Sequence, residues 1–375
     1  MLVFNALDMS IVTNLYELII RKLNLFRLRK IFYPLLLLLL SGWMLRAQDI
    51  HYSQFYNAPL NQNPALTGLY RGDVRFMGNY RTQWRQVPVD YQTLSAVADM
   101  KIYPRLKENG LFAAGLAFNY DQAGLSKLQL VQIGLNGSYL HRTSEYSYLS
   151  FGLQLSAMQR GFKPDALTFD NQFNSIRGFF DPTLPTGENF TNTTNFFFDL
   201  AAGVNFRIQG ANDNDLIDKL EKRNKIDVGI GFFHLNRPDQ SFFDGYKSPL
   251  FLRMSPYISG TLMLGKNFDF VGNLTGQFQG PYREVLGMAG IKVHANRGVG
   301  EQLAVQLGGG YRFDNFGDAY FPSFEVFFNN WQAGFSYDVN VSAFRVATNR
   351  RGGPEFSVRY IIKRPPPLFK VCPLI

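Results

Sequence analysis

Catalysis and metal binding need reactive side chains at set spacings, and this sequence holds few. The four histidines, His51, His141, His234 and His294, are widely separated and form no HxxxH pair, so a histidine-built metal site is not expected. The one cysteine, Cys372, stands near the C-terminus. It excludes an internal disulfide and a cysteine-built metal site. His51 could meet Asp49, but a solvated histidine is the simpler reading. Gly308-Gly309-Gly310 and Gly352-Gly353 lack the Lys-Ser/Thr that completes a phosphate loop. There is no GxSxG elbow and no tight Ser/His/Asp grouping. The expectation is a protein that is not an enzyme, with no catalytic residues, no metal and no cofactor.

The remaining side chains suited to chemistry are suited to recognition. Phe173, Phe179, Phe180 and Phe190 place apolar anchors among the asparagines of the stretch from Phe162 to Thr194. A connector of that length is functional or disordered. Asn236, Arg237 and Pro238 form a second candidate, since a guanidinium there can bond carboxylates or main chain. Both stretches are expected to be partner-binding loops. The Lys363–Lys370 segment carries three consecutive prolines. It cannot continue a strand and reads as polyproline II.

The elements that must carry these loops show in the hydropathy pattern. Phe196, Phe198, Leu200, Ala202, Val204, Phe206 and Ile208 alternate with Phe197, Asp199, Ala201, Gly203, Asn205 and Arg207. The first set predicts a lipid-facing surface and the second a luminal one. Segments of this kind recur near 73–81, 91–101, 110–121, 127–141, 147–161, 195–209, 225–235, 249–264, 267–278, 283–293, 302–313, 318–328, 331–340 and 355–363. That is about 14 strands, an even number as bacterial barrels require. The predicted fold is all-β, a transmembrane antiparallel barrel in the bacterial outer membrane. Connectors support it. With both termini periplasmic, the long stretches 162–194, 236–248 and 341–354 follow odd strands and are external. Gly265-Lys266-Asn267 and Asn329-Asn330 follow even strands and are tight turns. Asp213–Lys225 reads as one or two helical turns in a connector.

Composition agrees. Charged residues are 18% and aromatics 15%, with 36 Phe and 19 Tyr, which suits strands and membrane interfaces. A mean hydropathy of −0.12 is too polar for helical spans. The polar face is rich in Gly, Ser, Asn and Gln, unlike the Lys- and Glu-rich outer face of a soluble sandwich. Tyr80, Trp84, Phe321, Phe324, Phe327, Phe328 and Trp331 sit near strand ends, as interfacial girdles would. The net charge of +9 is partly in the leader and otherwise dispersed, so nucleic acid is not an expected partner. The leader has Arg27, Arg29 and Lys30 before the apolar run Ile31–Leu40. It reads as a signal peptide cleaved near Ala47, after an N-terminal extension.

The start of the predicted mature chain carries the most specific motifs: Ser53-Gln54-Phe55-Tyr56, Asn63-Pro64-Ala65-Leu66-Thr67-Gly68 and Asn79-Tyr80-Arg81-Thr82-Gln83-Trp84. With His234–Pro238, Arg359–Lys363 and Cys372-Pro373, these resemble the PorP/SprF family of outer-membrane proteins. The resemblance covers essentially the whole mature chain. It implies a component of the type IX secretion system, in outer-membrane lipid. Such a component would hold or help export a large cell-surface protein, including gliding adhesins, through that protein's C-terminal domain. It marks Gln54, Phe55, Asn63, Pro64, Tyr80, Arg81 and Trp84 as motif residues. The alternative reading of the barrel is a porin or a channel for small or hydrophobic solutes. Residues 48–72 precede any strand yet are rich in Phe55, Tyr56, Leu60, Leu66 and Tyr70. They are expected to pack inside or under the barrel, to turn at Asn63-Pro64 and to plug its periplasmic mouth.

Overall fold

The computed structural model describes residues 49–363 apart from 84–90, 103–109, 175–177, 189–191, 211–221, 244, 299–300, 315–318, 343–345 and 347. The leader, the Pro-rich tail, Trp84, Phe190 and most of the Asp213–Lys225 segment therefore lie outside the described residues.

Strands form where the period-two pattern runs. They are β1 (Val74–Gln83), β2 (Tyr91–Ile102), β3 (Gly110–Ala123), β4 (Leu128–Ser144), β5 (Ser147–Gly161), β6 (Phe173–Asn174), β7 (Phe179–Phe180), β8 (Thr194–Gln209), β9 (Lys225–Phe233), β10 (Arg253–Met263), β11 (Phe268–Gln279), β12 (Tyr282–Gly298), β13 (Glu301–Asp314), β14 (Ala319–Phe328), β15 (Trp331–Asn340) and β16 (Arg351–Ile362). The pair β6–β7 is a small separate hairpin in the loop after β5. The other strands close one antiparallel barrel of 14 strands. The seam is β1 against β16, from Val74↔Ile362 to Arg81↔Glu355. Closure removes every free edge, which is what a bilayer demands of strands.

The near rim is where β1 begins and β16 ends; the far rim is opposite. Near-rim connectors include the Asn329-Asn330 turn, with Asn329 at φ +52. Far-rim connectors include the long 162–193 stretch and the short Gly280-Pro281 turn. Two predicted strands are shorter than expected. β9 stops at Phe233 because His234 takes φ +60. β10 starts only at Arg253, because Asp239 and Pro249 bridge within the preceding loop.

Alternation sets the two faces. On β8, Phe196, Phe198 and Ile208 are exposed, while Phe197, Asp199, Ala201, Asn205 and Arg207 are buried. On β5, Leu153 is 69% exposed and its neighbours Gln154 and Gly152 face inward. Two expected girdle residues instead point into the lumen. Phe321 is fully buried against Phe55 and Leu286. Phe327 packs under the Lys292 ammonium. Their odd position in the period puts them on the inner face, and the lumen offers packing partners. The inner face also carries more charge than its Gly/Ser/Asn/Gln content suggests. Arg75, Asp99, Arg207, Asp227, Glu284, Arg312, Glu325, Asp338 and Glu355 are all inside and buried.

Candidate functional site

The lumen is occupied by the chain's own N-terminal segment. Residues 55–57, 59–62 and 64–66 form short helical turns. Proline opens two of them, at Pro59 and Pro64, where its missing N–H costs nothing. Asn63 caps the second by accepting the Ala65 N–H at 2.8 Å. The turn at Asn63-Pro64 is thus present, and both residues are buried.

At the far rim, the segment is held by acidic and basic side chains of the inner face. The main-chain N–H groups of Ser53 and Gln54 donate to the two carboxylate oxygens of Glu355, each at 2.8 Å. The Ser53 hydroxyl donates to Asp338 at 2.6 Å and accepts from Arg312. Arg81, only 2% exposed, donates to Asp338 at 2.6 Å and to the His51 carbonyl at 2.8 Å. Gln54 is fully buried. Its amide donates to Ser336 and to the Glu355 carbonyl, both at 3.0 Å, and accepts from Ser357 at 2.7 Å. Charge-assisted bonds of this kind are the strong ones. Breaking one buried partner costs about 3–5 kcal/mol.

Apolar groups lock the same region. Ile50, Tyr52 and Ala58 pack with Leu130, Met158 and Phe197. Phe55 packs with Leu286, Met288 and Phe321. Burial pushes the Tyr52 hydroxyl well above its ordinary pKa, and its bond to Ser95 opposes this. Burial, then the Glu325 carboxylate, pushes Tyr56 up as well.

Midway, the segment lies on a seat without side chains. Gly152, Gly203 and Gly231 are register partners on β5, β8 and β9. A Cβ at Gly152 would overlap the Pro64 and Ala65 main chain, one at Gly203 the Asn63 side-chain oxygen, and one at Gly231 the Gln62 carbonyl. Asn63 donates to the Val204 carbonyl at 2.9 Å and to the Tyr257 hydroxyl at 3.1 Å. Ser150 and Ser138 donate to the Ala65 and Thr67 carbonyls. Near the other end, Asp99 accepts from the Gly68 N–H at 2.8 Å and from both Arg75 nitrogens at 2.8 and 2.9 Å. The segment therefore runs through the lumen from far rim to near rim. The sequence places it inside or under the barrel and plugging the periplasmic mouth; it lies inside and reaches beyond that mouth. Polar inner-face groups at every level draw it along the whole height.

A model of the family described as "Type IX secretion system membrane protein PorP/SprF" matches residues 44–360. The chain belongs to the PorP/SprF family. It is a barrel of the bacterial outer membrane and a type IX secretion component. No curated protein matches its sequence. Several solved structures have similar shapes. TbuX, the Ralstonia pickettii toluene transporter, is 10% identical at TM-score 0.45, over 81% of this chain and 92% of that one. CymD, a monoaromatic hydrocarbon channel, is 9% identical at TM-score 0.46, over 82% and 93%. BamA from Haemophilus ducreyi lacking POTRA domains 1-3 is 9% identical at TM-score 0.40, over 77% and 70%.

In this PorP/SprF barrel the motif residues divide. Gln54, Phe55, Asn63, Pro64 and Arg81 meet in the plugged lumen. Tyr80 lies on the opposite, outer face of β1, half-buried. The loop candidates do not form one patch with them. Phe173 and Phe180 pair across β6–β7, and both stay exposed with Phe179. Asn236 is a strand-edge latch, donating to the Phe198 carbonyl at 2.7 Å and accepting the Leu200 N–H at 3.0 Å. Pro238 is buried beside it, while Arg237 is exposed at φ +46. Sequence reasoning missed Glu355, Asp338 and Arg312, as well as the glycine seat. Their only signal was a carboxylate, an arginine or a gap among inward-facing positions.

Proposed function

We propose that this PorP/SprF protein is a closed barrel, without enzymatic activity, that anchors or helps export a large adhesin-like surface protein for gliding. The near rim faces the periplasm and the far-rim loops face outward, where the partner's C-terminal domain docks. The observation that carries this reading is the plug. A segment bonded to the wall at both rims and through the middle leaves an anchor a firmer candidate than an open pore. The exposed Phe173, Phe179 and Phe180 hairpin supplies the apolar contact surface.

Two measurements test it. Reconstituted protein is expected to be silent in planar bilayers, and deletion of residues 50–70 to produce current. A large steady current from the intact protein would favour a solute channel instead. Pull-down from the native outer membrane is expected to recover a secreted surface protein; recovery of none would remove the anchoring role.

A further inference from the structure

Beside the plug, the near-rim half of the lumen keeps a cavity of about 450 Å³. Its floor is plug (Tyr56, Pro59, Gln62 and Leu66), and its walls are β8 to β16 and β1. Nine Lys and Arg side chains line it against three carboxylates, among the described residues.

Two of those carboxylates are held in ion pairs, while the third, Glu325, is bonded by neutral amides. Asp227 accepts both nitrogens of Arg207, at 2.7 and 2.9 Å. Asp269 accepts from Arg223 at 2.7 Å and meets His294 at 2.6 Å. Glu325 is held by the amides of Gln306 and Gln332. Among the cations carried by strands of the lining, three, on β9, β12 and β16, have no close carboxylate partner among the described residues. Lys225 reaches Asp227 only at 3.9 Å. Lys292 has an aromatic face, Phe327, at 3.4 Å and no carboxylate within ion-pair distance among the described residues. The half-buried Arg359 side chain forms no hydrogen bond or ion pair among the described residues. Like charges gathered in one cavity repel, and the cations outnumber the carboxylates that line it with them.

We propose that this cavity binds a compact, multiply charged anion of the phosphate class, with Arg359, Lys292 and Lys225 as its direct ligands. One guanidinium and two ammonium groups from separate walls suit a tetrahedral polyanion better than a flat single carboxylate. The volume admits a diphosphate or a phosphorylated headgroup and excludes a folded domain. The site is independent of the anchoring role, since it lies at the opposite rim from the partner loops.

The test uses the full-length protein purified in zwitterionic detergent. Sodium pyrophosphate is titrated calorimetrically, with sodium chloride at matched ionic strength as control. A second arm titrates short-chain phosphatidic acid against short-chain phosphatidylcholine. Saturable binding of pyrophosphate identifies a soluble anion as the source. Binding of phosphatidic acid alone identifies a headgroup. Arg359→Gln, Lys292→Gln and Lys225→Gln are each expected to weaken binding by about tenfold. Arg359→Lys should weaken it less, and Lys127→Gln at the far rim should leave it unchanged. Without anion, the triple neutral variant should melt at or above the wild-type temperature, because repulsion is relieved. No saturable binding in either arm, or equal binding by the triple variant, overturns the proposal. So does a triple variant that melts well below wild type, which would make the cations structural. If that variant cannot be purified, the wild-type melting temperature decides: a rise with pyrophosphate but not chloride supports the site, and no rise sinks it.

Discussion

Gly152 shows how much a single missing side chain can carry. A Cβ there would fall 2.3 Å from the Pro64–Ala65 main chain, which Ser150 and Asn63 hold in place. Gly152→Val must push the plug off its seat, and overpacking of this kind costs about 1–3 kcal/mol. Gly137 faces outward with nothing within 4 Å of an added Cβ, so Gly137→Ala should change stability by roughly 0.5 kcal/mol or less. Thermal unfolding of the two variants side by side checks the contrast. Tyr52 and Tyr56 supply a second residue-scale prediction. Both have folded pKa values raised above the ordinary tyrosine value of about 10. The neutral phenol is the form the fold favours, so the stabilisation is complete below about pH 10. It is lost as pH climbs from there through the higher folded values. Protease accessibility of the plug, followed from about pH 9 to about pH 12, should rise only in the upper part of that range. Tyr52→Phe should flatten part of the rise.

At the scale of elements, strands and plug were legible to different degrees. The strands were legible because lipid and lumen impose opposite demands on alternate residues, and from Phe196 to Ile208 only the inward Phe197, which packs on the plug, and Ala201 break the polar side of the pattern. The plug was legible only as a surplus of Phe, Tyr, Leu and Pro before the first strand. Its height in the lumen was not, because its partners are remote: Ser53 meets Asp338 across 285 residues, and Gln54 meets Glu355 across 301. No local period encodes such pairs. Phe321 and Phe327 were misplaced for the reverse reason, since aromatic residues near strand ends suit either face and only the register decides. The hairpin β6–β7 is the element that carries the docking reading. Its phenylalanines are exposed, so Phe173→Ser with Phe180→Ser should leave the melting temperature within a degree or two. Capture of the surface partner in pull-downs should drop clearly. A large loss of stability instead would make the hairpin part of the barrel mouth.

For the whole molecule, the solvent differs on the two sides of one sheet. Leu153 faces out near the middle of β5 and is 69% exposed. Leu153→Arg should cost about 2–4 kcal/mol in a bilayer, read from urea-dependent folding into lipid vesicles. In the lumen, arginine is already ordinary: Arg75, Arg81, Arg207 and Arg312 are buried there in ion pairs. The cost of a charge depends here on which way its residue points.

The plug's direction has a consequence for assembly. It precedes β1 in the chain, yet it bonds Glu355 and Ser357 on the last strand and Arg81 on the first. These groups stand on both sides of the β1–β16 seam. A finished ring would have to be threaded to receive such a segment. A sheet still open at its seam can instead be wrapped around it, as cloth around a mandrel. The N-terminal segment would then be a former on which the last strand finds its register. A synthetic peptide of residues 48–72 supplied to a preformed barrel lacking them should fail to restore closure, whereas the same peptide present during refolding should succeed.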